Sequence, residues 1–335
     1  MKKLLGSICL TTLATLATST AYAGGLDRSG QDITLLFESG NVVKFSAAYI
    51  DPNITSAAGG ISDAGTAYTQ FSLGYKQQLN EKLSFAVIYD QPYGAAISYV
   101  DGPVGIAGLT ALVTSHAVTG LARYQLGNGF ALHAGVRAQQ VSADVNAFAL
   151  DVTSDWGFGG VVGVSWEKPE IAARVAITYN SEVSQTFTGS ETIPYTTPQS
   201  VNLDFQTGIA ANTLVFGSIR WVNWNGFNIT GGRTYINYTQ DVTTYTIGVG
   251  RKFSDTLSGA ISIGYEAPSG IPSATPLAPT DGYISLGIGG TYTLDSGTKI
   301  TGGLRYVWLG DQNAAGIPFA NNYTIAAGIS VLHEF

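Results

Sequence analysis

The chain has 335 residues, of which 12% are charged where about 25% is usual, together with 42 glycines, 18 tyrosines and a single cysteine. Its net charge of −7 speaks against a basic nucleic-acid-binding face, and one cysteine excludes a disulfide framework. Low charge with abundant glycine and aromatics fits a β-rich protein whose outer surface does not everywhere meet water.

In chain order, residues 1–23 read as a secretory signal. "MKK" is a positive start, "LLGSICLTTLATLA" a short apolar run broken by Ser and Thr, and "AYA" a small-residue cleavage site ending at Ala23. Cleavage there removes Lys2, Lys3 and Cys9, leaving a more acidic, cysteine-free chain from about Gly24. No later stretch offers 18 consecutive apolar residues, so no transmembrane helix is expected. Residues 24–41, "GGLDRSGQDITLLFESGN", place an apolar cluster of Ile33, Leu35, Leu36 and Phe37 between charged and glycine positions. This segment reads as a short plug; a disordered leader is the alternative.

From residue 42 the sequence alternates with period two in fourteen segments: 42–51, 67–78, 82–91, 116–126, 130–142, 155–167, 171–181, 199–210, 213–224, 238–253, 256–267, 281–294, 298–309 and 321–335. Each has about ten to fifteen residues, the length of a tilted strand that crosses a bilayer, where globular strands average about five to six. Short and long connections take turns. All eleven prolines fall in connections or at strand ends, as expected of residues that cannot donate to a ladder. In 257–266, Leu257, Ile261, Ile263 and Tyr265 share one face while Ser258, Ser262 and Glu266 take the other. Charges repeatedly land on the small, polar face; a Lys or Arg facing lipid at the midplane would cost about 2–4 kcal/mol. The apolar face is therefore assigned to lipid and the polar face to a lumen. A sheet in hydrocarbon must close, because an open edge leaves backbone groups unpaired. The expected architecture is an all-β, fourteen-stranded antiparallel transmembrane β-barrel spanning 42–335, with the short plug 24–41 in its lumen.

The chain ends in "YTIAAGISVLHEF". Its terminal aromatic Phe335 is similar to the C-terminal strand signal by which bacterial outer-membrane proteins are read by their insertion machinery. The chain further resembles the FadL family, outer-membrane transporters of long-chain fatty acids and aromatic hydrocarbons. The resemblance rests on the leader, on "AAYIDPNI" (47–54), "IYDQPYGAAISY" (88–99), "RWVNW" (220–224), "GVGRKFSDTLSGAISIGYE" (248–266) and "GGLRYVWLGD" (302–311), and on the terminal Phe. It implies a fourteen-stranded barrel closed by an N-terminal plug. It further implies a monomer in the outer membrane of a Gram-negative bacterium, in contact with bilayer and lipopolysaccharide. Hydrophobic substrates would pass without an energy source and leave through the wall at a third-strand kink. Family plugs are often longer and carry an Asn-Pro-Ala motif; "FESGN" stands in its place here.

The kink maps onto Asp90, Gln91, Pro92, Tyr93 and Gly94, where a proline removes a ladder donor and a glycine permits a bend. Pro92 merely ending a strand is the competing reading. The apolar loop 100–116 is expected to fold back as a short helix offering Ile106, Leu109, Leu112 and Val113 to a hydrophobic substrate, unless it packs on the barrel rim. Leu35, Leu36 and Phe37 would meet the substrate from the plug. Inward-facing Lys44, Arg137, Arg174, Arg220 and Arg305 would either pair with a substrate carboxylate, Arg220 and Arg305 foremost, or brace the wall against Asp90, Asp204 or Glu266. His116, His133 and His333 form no catalytic constellation with Ser or Asp, so no enzyme, metal or cofactor is expected. The rival function is a general diffusion porin for small polar solutes.

Overall fold

The computed structural model describes residues 25–269 and 275–335, so the signal segment and its cleavage site lie outside the described residues. Eighteen strand segments form one sheet, and four crossings are each made of two segments, which leaves fourteen. These are β1 (Val42–Asn53), β2 (Tyr68–Gln78), β3 (Leu83–Asp90, then Ala95–Ser98), β4 (Thr110–Gly127), β5 (Phe130–Val145), β6 (Leu150–Ser154, then Gly157–Lys168) and β7 (Ala173–Asn180, then Val183–Gly189). They continue as β8 (Ile193–Thr197, then Ser200–Ala210), β9 (Thr213–Val222), β10 (Val242–Lys252), β11 (Leu257–Glu266), β12 (Tyr283–Thr293), β13 (Lys299–Leu309) and β14 (Tyr323–Glu334). Every pairing is antiparallel, and β14 returns to β1 over Val42↔Glu334 to Asn53↔Tyr323, so the sheet has no edge.

The faces sort by polarity as the alternation requires. Phe45, Phe71, Leu132, Val162, Ile177, Ile247, Ile263, Ile288 and Leu304 stand exposed on the outside. Lys44, Lys76, His133, Arg137, Arg174, Arg220 and Arg305 are buried on the inside. An all-round apolar belt of this kind is a surface for hydrocarbon, not water. Among the described residues no helix is long and apolar enough to cross a membrane.

The lumen has two zones. Toward the long-loop end an apolar, aromatic-rich core gathers Tyr93, Ile97, Tyr99, Leu109, Phe187, Tyr195, Trp224, Phe227 and Tyr238. Charged side chains line the middle of the lumen and its short-turn end, where Ile33, Leu35, Leu36 and Phe37 of the leader form a second apolar cluster. Two minor hairpins, Asn228–Thr230 with Thr234–Asn237 and Gln312–Ala314 with Ile317–Phe319, fold within long loops that the sequence pattern leaves irregular. The first is latched by Glu191, which accepts the Tyr235 hydroxyl at 2.6 Å and the Gly232 N–H at 2.9 Å. These bonds, the Tyr235 hydroxyl first, hold the Glu191 carboxyl below the usual carboxylate range. A lowered value means the latch is intact above the ordinary glutamate range and is lost as pH falls through the folded-state value. Hydrogen exchange at the Gly232 amide should therefore show unchanged protection between neutral and mildly acidic pH, and loss of it only under strong acid.

The segment 100–116 does not form the expected helix. It makes a turn over 103–108 and joins β4 at Thr110, so Leu112 and Val113 are strand residues. Leu112 points outward and is 48% exposed, while Leu109 is buried and Val113 packs against the apolar core. Ile106, only partly buried, also packs there.

Candidate functional site: a break in the wall bridged by the leader

The leader runs down the inside of the barrel. Gly25 lies so close to the Trp224 ring that a Cβ there would be 2.5 Å from it. Leu35 packs over Gly74 of β2. Leu36 is fully buried, and Phe37 sits between the guanidinium groups of Arg123 and Arg174, 5.2 and 4.9 Å from its centroid, with His133 edge-on. Such a cation–aromatic pair is worth about 2 kcal/mol when desolvated. At the short-turn end Lys76 Nζ donates to the carbonyls of Glu38 and Gly40, at 2.9 and 2.8 Å, and fastens the point where the leader becomes β1.

Between these ends the leader spans the lumen. Arg220 of β9 grips Asp27 through Nε (2.6 Å) and Nη2 (3.0 Å), a side-on bidentate pair. Its Nη1 donates to Asn202 at 2.7 Å and Ser200 at 3.0 Å, Ser200 donates to Gln31 at 2.7 Å, and Asn202 donates to the Gly30 carbonyl at 2.8 Å. On the opposite side Ser29 donates to Asp90 at 2.5 Å and Gln31 to the Tyr93 hydroxyl at 3.3 Å. Backbone bonds from Arg28 N to Pro92 O and from Gly94 N to Leu26 O, both 2.8 Å, add the leader to the third strand as a two-residue bridge.

The third strand is broken between Asp90 and Ala95. On its β4 side the ladder resumes after the break, from Asp90↔Ala117 to Ala95↔Val113. The gap on that side is closed by Ser115, whose Oγ accepts Tyr93 N (2.8 Å) and donates to Tyr93 O (2.6 Å). On its β2 side the pairing stops at Leu73↔Tyr89 and returns only as an isolated bridge, Gly65↔Ile97. Between them Phe71 N donates to the Gln91 side chain at 3.0 Å. A cavity of about 380 Å³ lies in this unpaired stretch, lined by Tyr49, Ala67, Tyr68, Thr69, Gln91, Tyr93 and Leu112, with Arg28 at its inner end. Tyr49, Ala67, Thr69 and Leu112 are exposed on the outside, so the cavity faces the lipid belt. The other divided crossings stay paired: Ser181 Oγ accepts the Gly160 N–H and Asp155 the Thr186 N–H, both at 2.8 Å.

The expected bracing of the wall takes another form. Arg220 pairs with Asp27 of the leader, not with Asp90, Asp204 or Glu266, because the leader brings a carboxylate nearer than the wall does. Asp90 is taken by Ser29, and Glu266 accepts Thr244 Oγ1 at 2.7 Å. Arg305 is buried, with Nε and Nη2 unpartnered among the described residues. His133 shares a 2.9 Å hydrogen bond with Thr178, and among the described residues no cluster of His, Cys, Asp and Glu could hold a metal. Asp27, Arg28, Gln31, Tyr68, Lys76, Ser115, Ser200 and Asn202 were not singled out from sequence. The charge in "LDRSGQD" was the one signal pointing toward them.

The closed fourteen-stranded barrel is a fold shared with solved structures of other proteins. The fold is similar to a Pseudomonas aeruginosa FadL homologue at TM-score 0.76 and 14% identity, covering 96% of this chain and 98% of that one. It is also similar to the Pseudomonas putida toluene transporter TodX (TM-score 0.65, 15% identity, 95% and 96% covered). The Ralstonia pickettii toluene transporter TbuX is a further neighbour (0.67, 12%, 95% and 96%). No family model and no curated protein sequence matches the chain.

Proposed function

We propose that the chain is a passive outer-membrane uptake channel for small hydrophobic molecules, with fatty acids and aromatic or aliphatic hydrocarbons as the candidate substrates, and that these leave sideways through the break in the wall. The observation that carries this reading is the unpaired stretch between β2 and the third strand, with its cavity of about 380 Å³ on the lipid side. Three further features support it. The long-loop half of the lumen is apolar and aromatic, which suits capture of a hydrophobic solute. The middle and short-turn end of the lumen are lined by buried charges and crossed by the leader, so a greasy solute meets polar groups straight ahead. The neighbours of similar fold include proteins described as toluene transporters.

In this reading the mature chain starts near Gly24, the outer belt meets bilayer and lipopolysaccharide, and Phe335 serves the insertion machinery. The barrel acts as a monomer. No catalytic role is assigned. A general diffusion porin is the second reading, and the leader across the lumen weighs against it.

Ala67 is exposed and lines the cavity from outside. Ala67→Trp should fill the opening without disturbing the barrel. Uptake of labelled toluene by cells producing this variant should fall at least about tenfold at equal amounts of folded protein, a lost route where the wild-type opening admits a ring-sized solute. Unchanged uptake would remove the lateral route.

A further inference from the structure

What shuts the opening is a separate matter, resting on the lateral reading. Arg28 is 7% exposed, and its guanidinium carbon lies 3.7 Å from the centroid of the Tyr68 ring. Tyr68 begins β2 on one bank of the gap. On the other bank is Gly94, where a Cβ would stand 2.5 Å from the guanidinium. The Arg28 backbone is itself bonded to Pro92 of the broken strand. The side chain thus crosses the gap from one bank to the other, at the inner end of the cavity. None of the ion pairs found among the described residues involves Arg28, and its Nη2 is buried without a hydrogen-bond partner. The cation therefore leans on the Tyr68 face for much of its stabilisation.

We propose that Arg28 is the bar of the wall opening: it closes the passage while stacked on Tyr68, and it yields to a substrate whose own aromatic ring takes the place of Tyr68 over the guanidinium. Exchanging one ring for another conserves the cation–π contact during passage. An aliphatic chain of the same size displaces Tyr68 and leaves the buried cation with no face to rest on. The opening therefore favours monoaromatic hydrocarbons over alkanes, and the preference resides in the Arg28 cation rather than in the width of the gap, while Tyr68 sets how tightly the passage is shut.

The test measures uptake of labelled toluene and labelled n-hexane from water by intact Gram-negative cells producing the full chain. The wild type takes up toluene preferentially. Arg28→Gln removes the cation and should lower the toluene-to-hexane ratio about thirtyfold by admitting more hexane, the size of a desolvated cation–π contact. Tyr68→Leu removes the seat and keeps the cation, so uptake of both hydrocarbons should rise together at an unchanged ratio. Arg28→Lys keeps a cation and should keep most of the ratio. A ratio unchanged in Arg28→Gln, or uptake of both hydrocarbons left at the wild-type level in Tyr68→Leu, overturns the bar and leaves Arg28 a mere fastening of the leader. If that happens while Ala67→Trp still blocks uptake, the lateral route survives without its bar. If Ala67→Trp has no effect, the route itself fails.

Discussion

Replacing Arg220 by alanine will free the leader from the far wall and convert a closed lumen into a conducting one. Arg220 makes five hydrogen bonds to Asp27, Gln31, Ser200 and Asn202, three of them to the leader. Removing one member of a buried, hydrogen-bonded ion pair costs about 3–5 kcal/mol, because the remaining carboxylate keeps its desolvation without its partner. The loss falls on the leader and not on the barrel, whose strands keep every ladder. Since the leader is also the hydrogen-bond partner of Pro92 and Gly94, the broken strand loses its support at the same time. Two readouts follow. Single-channel recordings in planar bilayers should show long-lived open events in Arg220→Ala and a mostly silent wild type. Hydrogen exchange at the Arg28 and Gly94 amides should speed up together, while Leu304 and Ile329, inside paired strands, stay protected. A silent variant with slow exchange at both amides would show that the ion pair does not hold the leader. A wild type that conducts steadily would favour the porin reading.

The second large effect is expected on the outside. Ile263 of β11 is 53% exposed and sits between Ile247 and Leu286 on the neighbouring strands. Ile263→Arg sets a charge in the belt assigned to hydrocarbon, at a cost of about 2–4 kcal/mol near the midplane. Equilibrium unfolding in urea from lipid vesicles should register the full loss. The companion variant Thr246→Lys lies on the inner face, beside a void that also holds Asp204. It should stay within about 1 kcal/mol of the wild type, since the new cation meets polar groups and a carboxylate. The contrast between faces matters more than either value. Equal effects would mean that the two faces of the wall meet similar surroundings.

Much of the barrel was legible in the residues. Where one face is lipid and the other lumen, period two survives along the whole strand, as in Leu257–Glu266, and all fourteen crossings follow from it. The alternation fails where both faces are apolar. Over 110–115 Leu112 points outward while Ala111 and Val113 pack on the apolar core, so a strand reads as a greasy loop. The interruption of the third strand is written in Pro92 and Gly94, but its one-sidedness is not. Sealing toward β4 depends on one hydroxyl, Ser115, standing in for a ladder partner. Bridging toward the lumen depends on a leader more than sixty residues away in sequence. The partner of Arg220 was illegible for the same reason: Asp27 is 193 positions distant and joins no strand pattern that would bring the two together.

The central claim is that a hydrophobic solute leaves through the wall and not along the axis. The most direct measurement is photolabelling during uptake, with an aryl diazirine of toluene size supplied to cells producing the full chain and the modified peptides then mapped. The account predicts labels on residues 66–72, 91–95 and 112–115, around the gap. Labels confined to the short-turn end, on Phe37, Val42 and Leu332, with none at the gap would contradict it.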